Sequence, residues 1–280
     1  MNQDLATIPT GSRYSVNGTE MYVVIAGSGP DVLLLHGFPD SHKLWRYQIP
    51  ALVAGGFRVI APDLRGYGFT DIPKGGVAAY RMDQLVADVV SLLDVLGVAK
   101  VRLVGHDWGA GIGWQAAIAH PDRIDRYVAI SVGHPTSFKR GGFKQKLNSW
   151  YMLMFQLRGF AEWLISVNDF KLFGRLSGFP QEVPNWRADL GRPGRLTAAL
   201  NYYRANIALI LSSDSGNVTV AVPVMGIWSA RDTALTERQM VNSAQFCKAG
   251  WRYERIDGVG HWLPLEAPER LNTLLLDYLR

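Results

Sequence analysis

A single cysteine, Cys247, stands in 280 residues. No disulfide can form within the chain, and a reducing compartment, the cytoplasm, is the expected setting. No apolar run approaches the roughly 20 residues that a helix needs to cross a bilayer, and Met1-Asn2-Gln3-Asp4-Leu5 lacks the basic start and apolar stretch of a signal peptide. A membrane partner is therefore not expected. Repeats and low-complexity segments are also missing. Charge of one sign is not concentrated either: 29 Lys and Arg against 24 Asp and Glu leave a net +5. The longest basic cluster, Lys139-Arg140 to Lys144 and Lys146, is interrupted by Gly141-Gly142-Phe143, which suits a solvated helix face better than a nucleic-acid track. No Gly-X-Ser-X-Gly occurs, which argues against an ordinary serine esterase or lipase. No metal and no cofactor is expected.

What is present is 48% hydrophobic and 19% charged, enough for one domain with a large core and an inserted lid. Residues 12–18 and 20–26 read as strands joined by Asn17-Gly18, a hairpin pair. Val32-Leu33-Leu34-Leu35 has the continuous apolar texture of a strand buried on both faces, and it ends in His36-Gly37-Phe38-Pro39-Asp40. A helix is expected at about 42–54, a strand at 57–61, and a helix over 81–96, where apolar residues recur at helical spacing up to Gly97. A strand at Val101–Val104 runs into Gly105-His106-Asp107-Trp108-Gly109 and then helix, and Ile124–Ser131 is the next strand. Regular strand–helix alternation implies an α/β fold with a mostly parallel sheet flanked by helices. Such sheets place ligands at the carboxyl ends of their strands.

From 134 to 217 the texture changes to helical spacing rich in Trp, Tyr, Phe and Met, with no good strand. This reads as an α-helical cap inserted between two parts of a core, 1–133 and 218–280. The strand pattern resumes at 218–228, followed by a helix near 236–247, a strand at 251–256, a loop at 257–262 and a closing helix at 265–279.

The strand–turn–helix around Asp107 has the geometry of a nucleophile elbow, with Gly105 and Gly109 supplying room for a turn in which flanking side chains would clash. At the tip stands a carboxylate, which is anionic at neutral pH and can displace a leaving group at a saturated carbon. The product would be an ester of Asp107, whose cleavage needs a base and an oxyanion hole. Asp232 and His261 fall in later loops after expected strands, in the order nucleophile, acid, base. His261 would take a proton from water, and Asp232 would fix its tautomer and stabilise its charged form. Asp232 could instead cap the helix near 236, and Asp214 is an alternative acid. The expected oxyanion donors are the backbone N–H groups of Trp108, at a helix N-terminus, and Phe38. His36 and His106 read as structural, and His42, His120 and His134 carry no argument.

These four stretches, His36-Gly37-Phe38-Pro39-Asp40, Asp63-Leu64-Arg65-Gly66-Tyr67-Gly68, Gly105-His106-Asp107-Trp108-Gly109-Ala110 and Gly258-Val259-Gly260-His261-Trp262, resemble in order the motifs of the α/β-hydrolase superfamily, and within it the epoxide hydrolases. The resemblance covers about 12–280. It implies conversion of an epoxide and water to a vicinal diol through an aspartyl ester. It also implies two acid tyrosines in the cap: Tyr203, in Leu200-Asn201-Tyr202-Tyr203-Arg204-Ala205-Asn206, and Tyr151, in Ser149-Trp150-Tyr151-Met152-Leu153. A phenol, with a reference pKa of about 10, is protonated at neutral pH and can give its proton to a far more basic alkoxide. Trp108, Trp150, Tyr151 and Tyr203 are the expected substrate contacts, and the oligomer is expected to be a monomer or homodimer.

The alternative reading is a haloalkane dehalogenase with the same Asp-His-Asp set, in which the indole of Trp108 and one of Trp150 or Trp163 would hold the halide. Phe38 stands where those enzymes often carry asparagine. Haloacetate dehalogenases carry arginines just after the nucleophile, where this chain has Trp108 and Ala110. A non-catalytic receptor on the same scaffold would have no use for a water-activating base.

Overall fold

The computed structural model describes residues 8–211 and 218–280, and the expected alternation is visible from the first hairpin. Asn17 and Gly18 both take positive φ, 43° and 71°, the backbone that a two-residue turn needs to match strand twist. They join β1 (Ser12–Val16) to β2 (Thr19–Ala26). The remaining strands are β3 (Asp31–Leu35), β4 (Arg58–Pro62), β5 (Val101–His106), β6 (Ile124–Ile130), β7 (Val224–Ser229) and β8 (Trp251–Ile256). The order across the sheet is β1-β2-β4-β3-β5-β6-β7-β8. Pairing is antiparallel for β1 with β2 and for β2 with β4, and parallel from β4 onward to β8. Val32, Leu33, Leu34 and Leu35 are buried, as are Leu103, Val104, Val128 and Ile227. Each such side chain contributes roughly 1.5–3 kcal/mol by leaving water.

Helices α1 (Gln48–Ala54), α2 (Met82–Val95) and α3 (Trp108–Ala119) connect the strands up to β6. Between β6 and β7 the described residues form no strand, and carry a 3₁₀ turn at Pro180–Glu182 and the helices α4 (Pro135–Lys139), α5 (Gly142–Asn148), α6 (Trp150–Met154), α7 (Phe160–Ser166), α8 (Lys171–Ser177), α9 (Val183–Leu190) and α10 (Arg195–Leu211). The core resumes with β7, then α11 (Glu237–Val241), β8, α12 (Leu263–Glu266) and α13 (Pro268–Tyr278). None of the described helices is long and apolar enough to cross a membrane.

The helical insertion is fastened to the core by polar contacts. Tyr202 donates its hydroxyl to the Arg65 carbonyl at 2.9 Å. Asn206 donates to the Tyr80 carbonyl and accepts from the Met82 N–H, at 2.9 and 2.8 Å. The Arg46 guanidinium grips the Glu182 carboxylate at 3.0 and 2.8 Å. Inside the insertion, Arg204 makes the same forked contact with Glu162, at 2.7 and 3.0 Å.

Several element boundaries differ from the sequence reading. The strand expected at 218–228 starts only at Val224. Before it, Val220 forms a single isolated bridge with Cys247, and Pro223 has no N–H to give to a ladder. The helix expected at 42–54 is a 3₁₀ turn, His42–Trp45, followed by α1. The helix near 236–247 is the short α11 followed by a 3₁₀ turn, Asn242–Phe246. The closing helix is interrupted at Ala267, whose φ of −138° and ψ of 56° reflect the exclusion of helical backbone before Pro268. The N-terminal stretch Met1-Asn2-Gln3-Asp4-Leu5, the segment 212–217 and with it Asp214 lie outside the described residues.

Candidate active site

Asp107 sits between β5 and α3 with φ 52° and ψ −120°, a conformation a non-glycine residue adopts only under compulsion. The compulsion is packing. A Cβ on Gly105 would lie 2.3 Å from the Gly109 carbonyl oxygen, and one on Gly109 would lie 2.0 Å from that of Leu35. A third close approach, at Gly37, brings the β3 loop to within 2.4 Å of Asp107 Cβ if a Cβ is added there. The result is a carboxylate at the helix N-terminus with two amides aimed at it. Phe38 N–H donates to Asp107 Oδ1 at 2.8 Å, and the Trp108 backbone N–H also hydrogen-bonds the carboxylate. The two expected oxyanion donors thus converge on one group.

His261 follows β8 and points its Nε2 at Asp107 Oδ2, 3.7 Å away, while its Nδ1 meets Asp232 Oδ2 at 2.8 Å. Asp232 serves two purposes with separate oxygens. Oδ2 holds the imidazole, and Oδ1 accepts from the N–H groups of Ala234 and Leu235, both at 2.9 Å. These two bonds close a turn ahead of α11, whose N-cap is Thr236, so Asp232 does not cap that helix. Burial pushes the His261 imidazolium down, but Asp232, Asp107 and Asp40 outweigh it and raise its pKa to about 9. Burial pushes the Asp107 carboxyl up, opposed by the His261 charge and the two amides. The Asp107 and His261 charges each favour the other.

Two other histidines near the site, His36 and His106, are held neutral. Burial depresses His36 to about 4. Its Nε2 accepts from Leu64 N–H at 3.0 Å, so Nδ1 donates to the Gly37 carbonyl at 3.0 Å and braces the loop that carries Phe38. His106 is pushed well below its usual value by burial, with the His261 charge adding to the effect. It meets the His261 carbonyl oxygen through Nε2 at 2.8 Å. His42 is tied to Asp63 Oδ1 at 2.8 Å.

Tyr203, on α10, is buried against Trp108 and Phe38 with ring centroids 5.1 and 5.6 Å away. Tyr151, on α6, lies 6.1 Å from Tyr203, ring to ring, nearly perpendicular. Burial raises the pKa of both phenols, and the Asp107 charge raises both further, so they hold their protons. A cavity of about 140 Å³ and another of about 440 Å³ share Asp107, Tyr151 and Tyr203 in their walls. Trp108 lines the smaller cavity. Trp150 lines the larger one but remains 61% exposed, and Trp163, 60% exposed, packs on Phe160.

Two residues beside His261 were given no role by the sequence reading. Asp40 is buried, with its Oδ1 accepting from the Trp186 indole at 2.8 Å and Oδ2 from the Trp262 indole at 3.0 Å. Burial raises its pKa to about 7 against those two hydrogen bonds. Glu266 accepts from Gly260 N–H at 2.8 Å and Trp262 N–H at 3.1 Å, pinning the loop on both sides of His261. The local signal for Asp40 is slight, a carboxylate between Phe38-Pro39 and the polar Ser41-His42-Lys43, and its indole partners are distant in sequence. Among the described residues no group of three or more His, Cys, Asp or Glu could hold a metal ion.

A carboxylate on a strained strand-to-helix turn, a histidine–aspartate pair from later strands, and two backbone donors on an eight-stranded sheet define an α/β hydrolase. The family model described as alpha/beta hydrolase fold matches residues 30–268. AB hydrolase superfamily protein YfhM of Bacillus subtilis is 33% identical, over 95% of this chain and 96% of its own length. Epoxide hydrolase A of Mycobacterium tuberculosis is 32% identical, over 97% of each chain. The crystal structure of epoxide hydrolase A from Mycobacterium thermoresistibile superposes with a TM-score of 0.83 at 29% identity, covering 97% of this chain and 98% of that one. The chain belongs to the α/β-hydrolase family, in its epoxide hydrolase branch.

Proposed function

We propose that this enzyme converts an epoxide and water to a vicinal diol through an ester on Asp107. In the first step a carboxylate oxygen of Asp107 attacks one epoxide carbon from the face opposite the ring oxygen, and the C–O bond breaks. The phenols of Tyr151 and Tyr203 hydrogen-bond the departing oxygen, and one of them gives it a proton. Once the ester has formed, the His261 imidazolium passes its proton through solvent to the phenolate. In the second step the neutral His261 takes a proton from water, and the hydroxide adds to the ester carbonyl carbon. The N–H groups of Phe38 and Trp108 receive the oxyanion, each worth about 2.7–4 kcal/mol in the transition state. Collapse releases the diol oxygen, which takes the imidazolium proton, and the proton left on the Asp107 carboxyl returns through solvent to His261. The segment 134–217 acts as the cap that carries both phenols, in a protein of the cytoplasm.

The observation that carries this reading is that two protonated phenols stand in the same cavity walls as a carboxylate anchored by two amides. The charges also suit two successive steps. While Asp107 is anionic it helps keep His261 protonated, its pKa raised to about 9. Ester formation removes that negative charge, so the histidine becomes a better base at the moment water must be activated. Halide release is less well served, because the Trp108 indole packs on the Tyr203 ring, Trp163 is exposed and packs on Phe160, and Trp150, although it lines the larger cavity, is mostly exposed. Incubation with styrene oxide beside 1-bromobutane tests the reading. Diol without bromide is the predicted result, and bromide without diol would overturn it.

A further inference from the structure

Helix α3 carries glycines at 109, 111 and 113, and two of them are forced by packing. A Cβ on Gly109 would collide with Leu35, and one on Gly113 would lie 2.6 Å from the Tyr127 ring. At Gly111 an added Cβ would meet nothing within 4 Å, and its φ is not in the left-handed region. Glycine inside a helix weakens it relative to alanine, so the fold gains nothing from this residue. What its absent side chain leaves open is the smaller cavity. Asp107, Gly111 and Gln115, spaced by four along one face, all line it, with Met82 and Asn206 opposite.

The geometry of the attack gives that space a purpose. If Asp107 approaches one epoxide carbon from behind while the ring oxygen faces Tyr151 and Tyr203, the carbon–carbon bond lies across the carboxylate. Substituents on the two carbons of a trans epoxide then extend in opposite directions, and two cavities that share Asp107, Tyr151 and Tyr203 in their walls offer a place for each. The smaller cavity, about 140 Å³ and mostly apolar in its lining, is about the size of a dry cavity known to hold benzene. The larger, about 440 Å³, has room for a longer group.

We propose that Gly111 is a specificity-determining residue. It admits epoxides substituted on both carbons, with a hydrocarbon arm of up to phenyl size over Gly111 and a larger arm on the Trp150 side. This rests on the epoxide reading above. The test compares kcat/KM for trans-stilbene oxide, with a phenyl on each carbon, and styrene oxide, with a phenyl on one. In Gly111→Leu the stilbene-to-styrene ratio should fall about 30-fold or more, given that a single methylene in an apolar pocket is worth about 10–200-fold. Gly111→Ala, which no contact opposes, should lower the ratio severalfold at an equal or higher melting temperature, and it carries the test if leucine disturbs the elbow. An active wild type whose ratio is unchanged in both variants would overturn the cavity assignment alone. A wild type inert toward both epoxides would overturn the epoxide reading and this inference with it.

Discussion

The sheet loops and the helical insertion bring chemistry to the same point by different means. Asp107, Asp232 and His261 stand at the ends of β5, β7 and β8, where backbone contacts dictate where they point. Asp107 is set by glycines whose Cβ atoms would overlap neighbouring backbone, and His261 by the Glu266 carboxylate on either side of its loop. Tyr151 and Tyr203 ride on helices and are set by aromatic packing against Phe38, Phe155 and Trp108. Directed backbone bonds fix a group tightly. Ring packing fixes it by shape rather than by a directed bond.

Breaking the sheet side should cost most. Asp107→Ala removes the proposed nucleophile, and diol formation should fall by about 10⁴-fold or more. Activity within tenfold of wild type would sink the covalent route. For His261→Gln the expected loss in kcat is about 10²–10⁴-fold, with ester hydrolysis slowed more than ester formation. Intact-mass spectrometry after mixing should then show the protein plus one substrate, and no adduct would count against the base role.

On the insertion side the effects should be smaller. Tyr203→Phe should lower the rate of epoxide opening by about 10²-fold while leaving the melting temperature close to wild type, since the ring packing survives. A large fall in stability instead would make the residue a packing element. Glu162→Gln removes the partner of the buried Arg204 guanidinium and should destabilise the protein by about 1–3 kcal/mol, measured in urea. The pH dependence of stability should be smaller still per unit. The folded pKa of His261 is raised from 6.5 to about 9, so its contribution is fully present below pH 6.5 and is lost as pH rises through about 9. Stability should fall across that window in wild type, and the fall should shrink in His261→Gln.

The sheet half was the more legible in sequence for a physical reason. Buried parallel strands read as apolar runs, and the turns after them need glycine, so Val32–Leu35 and Gly105–Gly109 announce themselves locally. The strand before Val224 was overextended because Val218, Val220 and Val222 have strand propensity, whereas Pro223 breaks the ladder. The two phenols came from resemblance alone. Nothing in the spacing of Tyr151 and Tyr203 says that α6 and α10 meet over β5. Asp40 was missed because its role depends on Trp186 and Trp262, contacts separated by 146 and 222 positions.

The most direct test of the ester on Asp107 is a single turnover in heavy-oxygen water with enzyme in excess, followed by mass spectrometry of the peptide carrying Asp107 and of the diol. The account predicts one heavy oxygen in the Asp107 carboxyl group and none in the diol. A labelled diol beside an unlabelled Asp107 would contradict it.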